Sequence, residues 1–532
     1  MSNLFSKASI VLTPTAYSTD RILSVKPLQI GLDNLSPPID FNEVNFESNP
    51  TSGTVVNSPS GTLTFTNASS NGANVQLKNR LIVVGTTYKI KFTVSNYTSG
   101  TFRMSVGNQI TSVVSENGSF VFYVTYESGL NRNYFYTNSS TLTVSNISVT
   151  EASDGDLDFI RATSATRVNS NKTIETVGEN IPRIDFLNSS SDGHWLLEKE
   201  KTNEVTYSQD IGSISGLSAI GTTIVTNNTF SPAGLTDVSL LQEDSSLGSH
   251  FAFKDFELTN PATYSISIFA KSNRGRNLRF GDGGVGWSSG FTANFDLTAG
   301  TSDAGTIEDY GNGWFRCSVQ GTVNASKSRL IIYSTSGSIT SYQGDGESGV
   351  YLYGFQIEEG EFVSSYIPTS GSTVTRNTDV AKSAGNDSLI NSTEGVLYAE
   401  IAAFEAAPGT QKQFSLSDGT NSNAVRFSYR STENQIQMIV RSEGSNTANM
   451  LTVLPTVTTF IKVALKYKTD DCALFVNAIK TNTDTSATMP IGLSSFQFNR
   501  GDGGNIFEGK VKCIAIFKEA LTDSELECLT SI

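Results

Sequence analysis

Two stretches of the chain alternate apolar and polar residues in nearly the same order, and this alternation limits the fold more than any other feature. Thr87-Tyr88-Lys89-Ile90-Lys91-Phe92-Thr93-Val94-Ser95 sets Tyr, Ile, Phe and Val on every second position. Thr263-Tyr264-Ser265-Ile266-Ser267-Ile268-Phe269-Ala270-Lys271 repeats the pattern. A period of two marks a strand with one face in a core and the other turned outward. Each stretch is followed by a turn rich in Gly or Asn and by a second alternating run, residues 101–107 in the first case and 277–281 in the second. The two ends also correspond, residues 142–149 and 350–358, so the chain reads as a duplicated module.

Short strands separated by Gly, Asn and Ser turns, with no helical periodicity between them, call for two facing antiparallel sheets that bury one side of every strand. Composition agrees with an all-β chain. Charged residues are only 17% of 532, and the polar weight falls on Ser, Thr and Asn, which favour turns and pleated surfaces. The expected fold is a tandem of antiparallel β-sandwiches: an N-terminal segment at 1–37, a jelly roll at 38–152, a connector at 153–202, a second jelly roll at 203–382 and a further sandwich at 390–532. In the last unit, residues 460–467 and 473–478 flank the turn Lys468-Thr469-Asp470-Asp471 as a hairpin, and Thr522 with Glu525 forms a capping box for one short terminal helix.

Charge and residue counts exclude several function classes. A net charge of −14, without a basic run, gives no footing for nucleic acid, which needs clustered Lys and Arg to displace counterions. The apolar stretches fall far short of the roughly 20 residues of a spanning helix, so no membrane insertion is expected. The N-terminus lacks a charged region followed by a long apolar one, which points to folding in the cytoplasm where the chain is made. Cys317, Cys472, Cys513 and Cys528 are widely spaced and read as buried thiols. With His194 and His250 as the only histidines, a general base is scarce and a multi-histidine metal site is impossible. No G-x-S-x-G, H-E-x-x-H or P-loop pattern occurs, so the chain is expected not to be an enzyme.

Glycan-binding sandwiches grip sugars with open aromatic faces and with Asp, Asn and Arg groups on the hydroxyls. Trp287 is the first candidate, since its loop, Gly281-Asp282-Gly283-Gly284-Val285-Gly286-Trp287, is too rich in glycine to bury a large ring easily; the alternative is that it plugs the sandwich edge or a subunit contact. Tyr310, before Gly311-Asn312-Gly313, and Tyr342, before Gln343-Gly344-Asp345-Gly346-Glu347, are weaker candidates. Trp314 and Trp195 read as strand residues facing a core. No cofactor is expected. The acidic loops at Asp282, at Asp345 and Glu347, and at Asp502 have oxygens of the kind Ca²⁺ takes, and tight glycine turns account for the same sequences without a metal.

Several segments resemble a family of tailed-phage virion proteins. The "T-S-A-T-R-V-N" run within residues 159–169, then Ile174-Glu175, then Lys201-Thr202-Asn203-Glu204-Val205-Thr206-Tyr207-Ser208, is similar to that family's strand leading into a carbohydrate-binding-module-like jelly roll. Gly313-Trp314-Phe315-Arg316, residues 351–358, residues 365–369 and Thr375-Arg376 follow in the family's order. The C-terminal unit resembles a concanavalin A-like, laminin-G-like lectin domain, through the 465–477 hairpin and the "L-T-D-S-E-L" helix. Residues 5–27, with Pro14 and "S-V-K-P", resemble the family's leader, and 38–152 departs from its commoner layout as an inserted domain.

The resemblance implies a structural protein of a tail or head fibre at the virion surface, held to other virion proteins through its N-terminal segment. It also implies a homotrimer that attaches to host-surface polysaccharide. Two alternatives stay open: a capsid-decorating or architectural protein without a glycan, and a polysaccharide depolymerase.

Overall fold

A computed structural model describes residues 3–18, 20–26, 52–57, 62–69, 75–77, 87–106, 109–126, 133–151, 154–187, 192–227, 229–236, 238–289, 291–407 and 409–531. Pro27, the rest of the expected leader to residue 37 and the start of the expected inserted domain lie outside them. The chain is all-β, built from antiparallel sheets, with Asp523–Thr530 as the α-helix among the described residues. Its capping box is present: Glu525 N donates to Thr522 Oγ1, and Thr522 N donates to the Glu525 carboxylate. No helix among the described residues is long and apolar enough to cross a membrane. The chain divides into two compact units, one of Met1–Ala8, Thr13–Ile22 and Leu157–Ile532, the other of Ser9–Leu12 and Leu23–Asp156.

The smaller unit is organised by two long strands, Thr87–Val106 and Asn133–Glu151, which pair along most of their length. Their register shifts around Ser95, Ser99 and Thr101. At the bend Gly100 has φ +84°, and a Cβ there would lie 2.4 Å from Asn138 O, so only glycine fits. The alternating residues Tyr88, Ile90, Phe92 and Val94 face inward and pack with Phe65, Phe102, Phe135 and Leu142. Phe102 is the centre of this core, with Phe92 edge-on at 5.0 Å and Phe135 stacked at 5.8 Å.

In the larger unit, residues 218–359 form a sandwich of two sheets. One runs Ser218–Ile220, Leu247–Glu257, Lys327–Ser336, Arg276–Gly281, Thr292–Asp296, Thr301–Ser302. The other runs Thr222–Asn227, Val238–Glu243, Gly349–Glu359, Ala262–Asn273, Trp314–Val323, Trp287–Ser289. Ile266, Ile268, Phe280, Phe295 and Ile332 bury between them. A register shift between Ser267 and Phe269 turns Phe269 into a second cluster with Tyr310, Trp314, Tyr353 and Tyr366.

The C-terminal residues form a second sandwich in the same unit. Its five-stranded sheet runs Ser445–Val453, Gln435–Ser442, Ala424–Tyr429, Lys412–Ser417, Ser495–Gln497. The other sheet is built on Gly509–Phe517, Glu394–Ala402, Ile461–Lys468 and Cys472–Val476. The segment read as a connector adds His194–Leu197 and Leu157–Ile160 to that sheet, which is where its backbone groups find partners.

A buried ion network ties this segment to the end of the jelly roll. Arg161 meets Asp379 at 3.0 Å, Arg183 meets Glu198 at 2.7 Å and also Asp379, and Arg376 meets Glu198 at 3.0 Å. All five side chains are 2% exposed or less. The arginines of the "R-A-T-S-A-T-R" and "T-R" segments are thus structural here: Arg167 pairs with Glu175, and the other two join residues about two hundred positions apart. Of the cysteines, Cys317, Cys472 and Cys513 are buried, but Cys528 is exposed, because it falls on the outward side of the terminal helix.

Candidate functional site

The structure gives the three aromatic candidates other work. Trp287 is only 9% exposed: its Nε1 donates to Arg329 O at 2.8 Å and its ring stands edge-on to Phe291 at 4.8 Å. The expectation of an open face at Trp287 is therefore corrected. The space comes from across the sheet, where a Cβ on Gly321 would lie 2.7 Å from the indole. Tyr310 is 5% exposed, edge-on to Phe269 at 4.8 Å, and lines a cavity of ≈80 Å³. Burial pushes its hydroxyl well up. Tyr342 is half-buried, with the His250 ring at 4.5 Å and the Arg276 guanidinium at 4.8 Å from its centroid, while its hydroxyl donates to Glu243 at 2.7 Å. The Tyr310 ring is closed off by burial, and the Tyr342 ring is packed against His250 and Arg276.

The acidic loops are likewise engaged. Asp282 accepts from Gly284 N, and Glu347 pairs with Arg274. The Ser348 hydroxyl and backbone donors hold the Asp345 carboxyl well below the usual range. Arg500, bonded to Asp502 through both Nε and Nη2, brings that carboxyl down to about 2. Among the described residues, no group of three or more His, Cys, Asp or Glu is placed to hold a metal ion.

An aromatic face does exist, on the outer side of the sheet that holds Leu247–Glu257 and Lys327–Ser336. These strands pair antiparallel with Phe251 opposite Tyr333, Phe253 opposite Ile331 and Asp255 opposite Arg329. Because side chains alternate, the buried set Ala252, Phe256, Leu330 and Ile332 commits Phe251, Phe253, Arg329 and Tyr333 to the opposite face. There Phe251 lies 5.0 Å from Tyr333 and 6.0 Å from Phe253. The Arg329 guanidinium sits 4.8 Å over Phe253 and gives two hydrogen bonds to Asp255, at 2.7 and 2.9 Å. Its hydrogen bonds hold the Asp255 carboxyl below its ordinary range.

The next strand, Arg276–Gly281, extends this face. Arg279 stands opposite Tyr333 and donates to Asn294 Oδ1 at 3.3 Å, while Asn294 Nδ2 donates to Asp303 at 2.6 Å. Gly281, opposite Ile331, leaves room for the Tyr333 ring, whose Cε2 would be 3.2 Å from a Cβ. Three half-buried rings beside two guanidiniums, an amide and two carboxylates combine C–H stacking with hydroxyl recognition. No single residue of this set stands out in the sequence. Its signal is the alternation of Phe251-Ala252-Phe253-Lys254-Asp255-Phe256, which carries aromatic residues on both faces of one strand.

A second feature of the same unit is a cleft of ≈650 Å³ where residues 305–320 and 361–363 meet residues 403–406. Phe362 and Phe404 stack across it, centroids 5.1 Å apart and 16° from parallel, with Lys201 Nζ 5.0 Å over Phe362. Glu308, Glu361, Glu405 and Lys510 also line it. Burial, with Glu361 nearby, raises the Glu405 carboxyl above its ordinary range.

No protein-family model matches the chain, and no curated protein matches it. Among solved structures it is similar to the CBM40 carbohydrate-binding module of the Ruminococcus gnavus IT-sialidase bound to alpha2,3 sialyllactose, at 18% identity over 27% of this chain and 84% of that one, TM-score 0.24. It is also similar to a leech intramolecular trans-sialidase complexed with 2,7-anhydro-Neu5Ac, at 20% identity over 27% of this chain and 24% of that one, TM-score 0.23. A third is domain 4 of AbnA, an extracellular arabinanase from Geobacillus stearothermophilus, in complex with arabinotriose, at 13% identity over 32% and 82%, TM-score 0.24. At TM-scores this low the likeness bears on neither the fold nor the function of this chain.

Proposed function

We propose that this chain is a non-catalytic glycan-binding protein of a tailed-phage virion appendage. The observation that carries glycan binding is the outward aromatic face of Phe251, Phe253 and Tyr333 with Arg329, Asp255 and Arg279 beside it. Such a face stacks on the apolar side of a pyranose while the flanking polar groups bond its hydroxyls. The virion placement is supported by the sequence resemblance alone, as is assembly into a homotrimer. In a trimer, weak single contacts become strong attachment through avidity.

Glycan-array binding by the full chain and by Tyr333→Ala tests the first part. Specific binding that Tyr333→Ala removes supports it, and the absence of any bound glycan on a broad bacterial polysaccharide array refutes it. Reconstruction of the intact particle tests the second, with density at a tail or head fibre expected.

A depolymerase reading has one observation in its favour, the raised Glu405 carboxyl beside Glu361 in the cleft. Glycoside hydrolysis needs such a raised acid and a partner carboxylate. Release of reducing ends from a bound polysaccharide, lost in Glu405→Gln, would favour that reading.

A further inference from the structure

We propose that the outer face of the five-stranded sheet in the C-terminal sandwich, at Arg426 and Arg441, binds the carboxylate of an acidic saccharide. This deepens the glycan reading by naming a second face and a charged class of sugar, and it rests on that reading only for the saccharide.

The register puts the two arginines on one face. Arg441 lies opposite Ala424, Arg426 is two residues further along the same strand, and Ser415 and Gln497 continue the row beyond Arg426. The opposite face is apolar core, with Phe414, Leu416, Val425, Phe427 and Met438 buried. Arg426 is 4% exposed, and its Nη2 donates to Asn421 Oδ1 at 2.6 Å. Arg441 is half-buried and donates to Asn446 Oδ1 at 2.9 Å. The buried Nε atoms of both have no hydrogen-bond partner, nor has that of Arg430 just past the strand end; the same holds for Nε of Arg183, Arg316 and Arg376, and what sets this pair apart from Arg183 and Arg376 is the lack of a carboxylate on the rest of the guanidinium. An unmet guanidinium N–H away from water is unfavourable unless something accepts from it.

Arg161, Arg183 and Arg376 are as deeply buried, and although Nε of Arg183 and Arg376 is also unpartnered, each of the three has a carboxylate at 3.0 Å or less. Arg426 has amide oxygen only. Its neighbours are Arg441 and Arg500, and the nearby acid, Asp502, is bonded to Arg500 at 2.7 Å. Burial and the two arginines bring the Arg426 guanidinium down to about 10, so its positive charge is under-compensated.

The loop that carries Arg500 is pressed onto the sheet at Gly501, where φ is +112° and a Cβ would lie 2.6 Å from Thr420 O. The remaining polar groups of the face satisfy one another: Ser415 donates to Asn499 O, Gln413 to Ser428 Oγ, and Gln437 to Asn449 Oδ1. What is left is positive charge with planar N–H donors. That geometry matches a carboxylate, and the exposed Asn446 and Asn449 beside it suit sugar hydroxyls. Against a net charge of −14 for the chain, the attraction acts at short range.

Calorimetric titration of the full chain with an oligoglucuronate, with inorganic sulfate and with the matching neutral glucose oligomer tests the assignment. The oligoglucuronate is expected to bind, and Arg441→Gln to weaken it by about tenfold or more. Asp502→Asn, which removes the competing acid, is expected to tighten it. Because Arg426 is buried, Arg441→Gln is the decisive variant. Oligoglucuronate affinity unchanged in Arg441→Gln, or sulfate bound as tightly as the saccharide, overturns the assignment. Loss of neutral-glycan binding in Tyr333→Ala alone bears on the aromatic face and not on this one.

Discussion

Phe251 and Tyr333 stand directly opposite each other on neighbouring antiparallel strands, ring centroids 5.0 Å apart and tilted by 44°, with their strands' buried residues on the other side of the sheet. A cross-strand pair of this kind contributes about 1 kcal/mol or less to folding. Binding and stability are therefore separable at this position.

Tyr333→Ala should lower glycan affinity at least about tenfold, the loss expected for a stacking residue. Its thermal unfolding should stay within a few degrees of the parent chain. A calorimetric binding isotherm paired with a melting curve checks both, and unfolding in step with lost binding would contradict the assignment.

Trp287→Ala should behave in the opposite way. Its indole fills the sandwich core between Phe291 and Gly321, so truncation should destabilise the 218–359 sandwich by ~3–5 kcal/mol. Denaturant unfolding followed by near-ultraviolet circular dichroism reads this directly. A fully stable variant that merely loses a ligand would restore Trp287 as a binding residue.

Glu198→Gln should cost ~3–5 kcal/mol, because Arg183 and Arg376 would be left buried with one carboxylate fewer. Burial pushes the Glu198 carboxyl up, but Arg376, Arg183 and the Ser365 donors outweigh it and hold it well below the usual range. A depressed carboxyl stabilises the fold above its unfolded value, roughly pH 4, and loses that contribution as pH falls toward the folded one. Acid unfolding below roughly pH 4 should therefore be shallower in Glu198→Gln than in the parent.

His194 gives a second pH effect, at higher pH. It is 4% exposed, with Phe460 edge-on at 5.7 Å and Asp185 at 3.8 Å. Burial, with Lys510 and Lys512 nearby, takes its ring down to about 3. Asp185 does not reverse this, since burial raises its own carboxyl and the backbone of Val168 and Leu187 bonds its oxygens. The native state thus holds His194 neutral, and stability is full above the unfolded value of about 6.5 and declines from there toward about 3. Melting temperatures between pH 7 and 5 should fall in the parent and stay flatter in His194→Leu; identical slopes would remove His194 as the cause.

Strands were the most legible part of the chain. The alternation at Tyr88–Val94 and Tyr264–Ala270 names the residues that bury, and Thr522 with Glu525 marks the terminal helix, because these signals are local. The site was less legible for a physical reason. The glycines around Trp287 suggest exposure, yet the space that buries it is made by Gly321, on another strand. Conversely, Phe251 and Tyr333 are ordinary strand residues 82 positions apart, and only the register makes them one face. The ion network escaped in the same way, since Arg161 and Asp379 are 218 positions apart.

A crystal structure of the chain with the oligosaccharide that binds best on a glycan array tests the central claim most directly. The prediction is a sugar ring stacked over Phe251 and Tyr333 with hydroxyls in reach of Arg329, Asp255 or Arg279. A sugar held in the Phe362–Phe404 cleft, with the outer face bare, would contradict it.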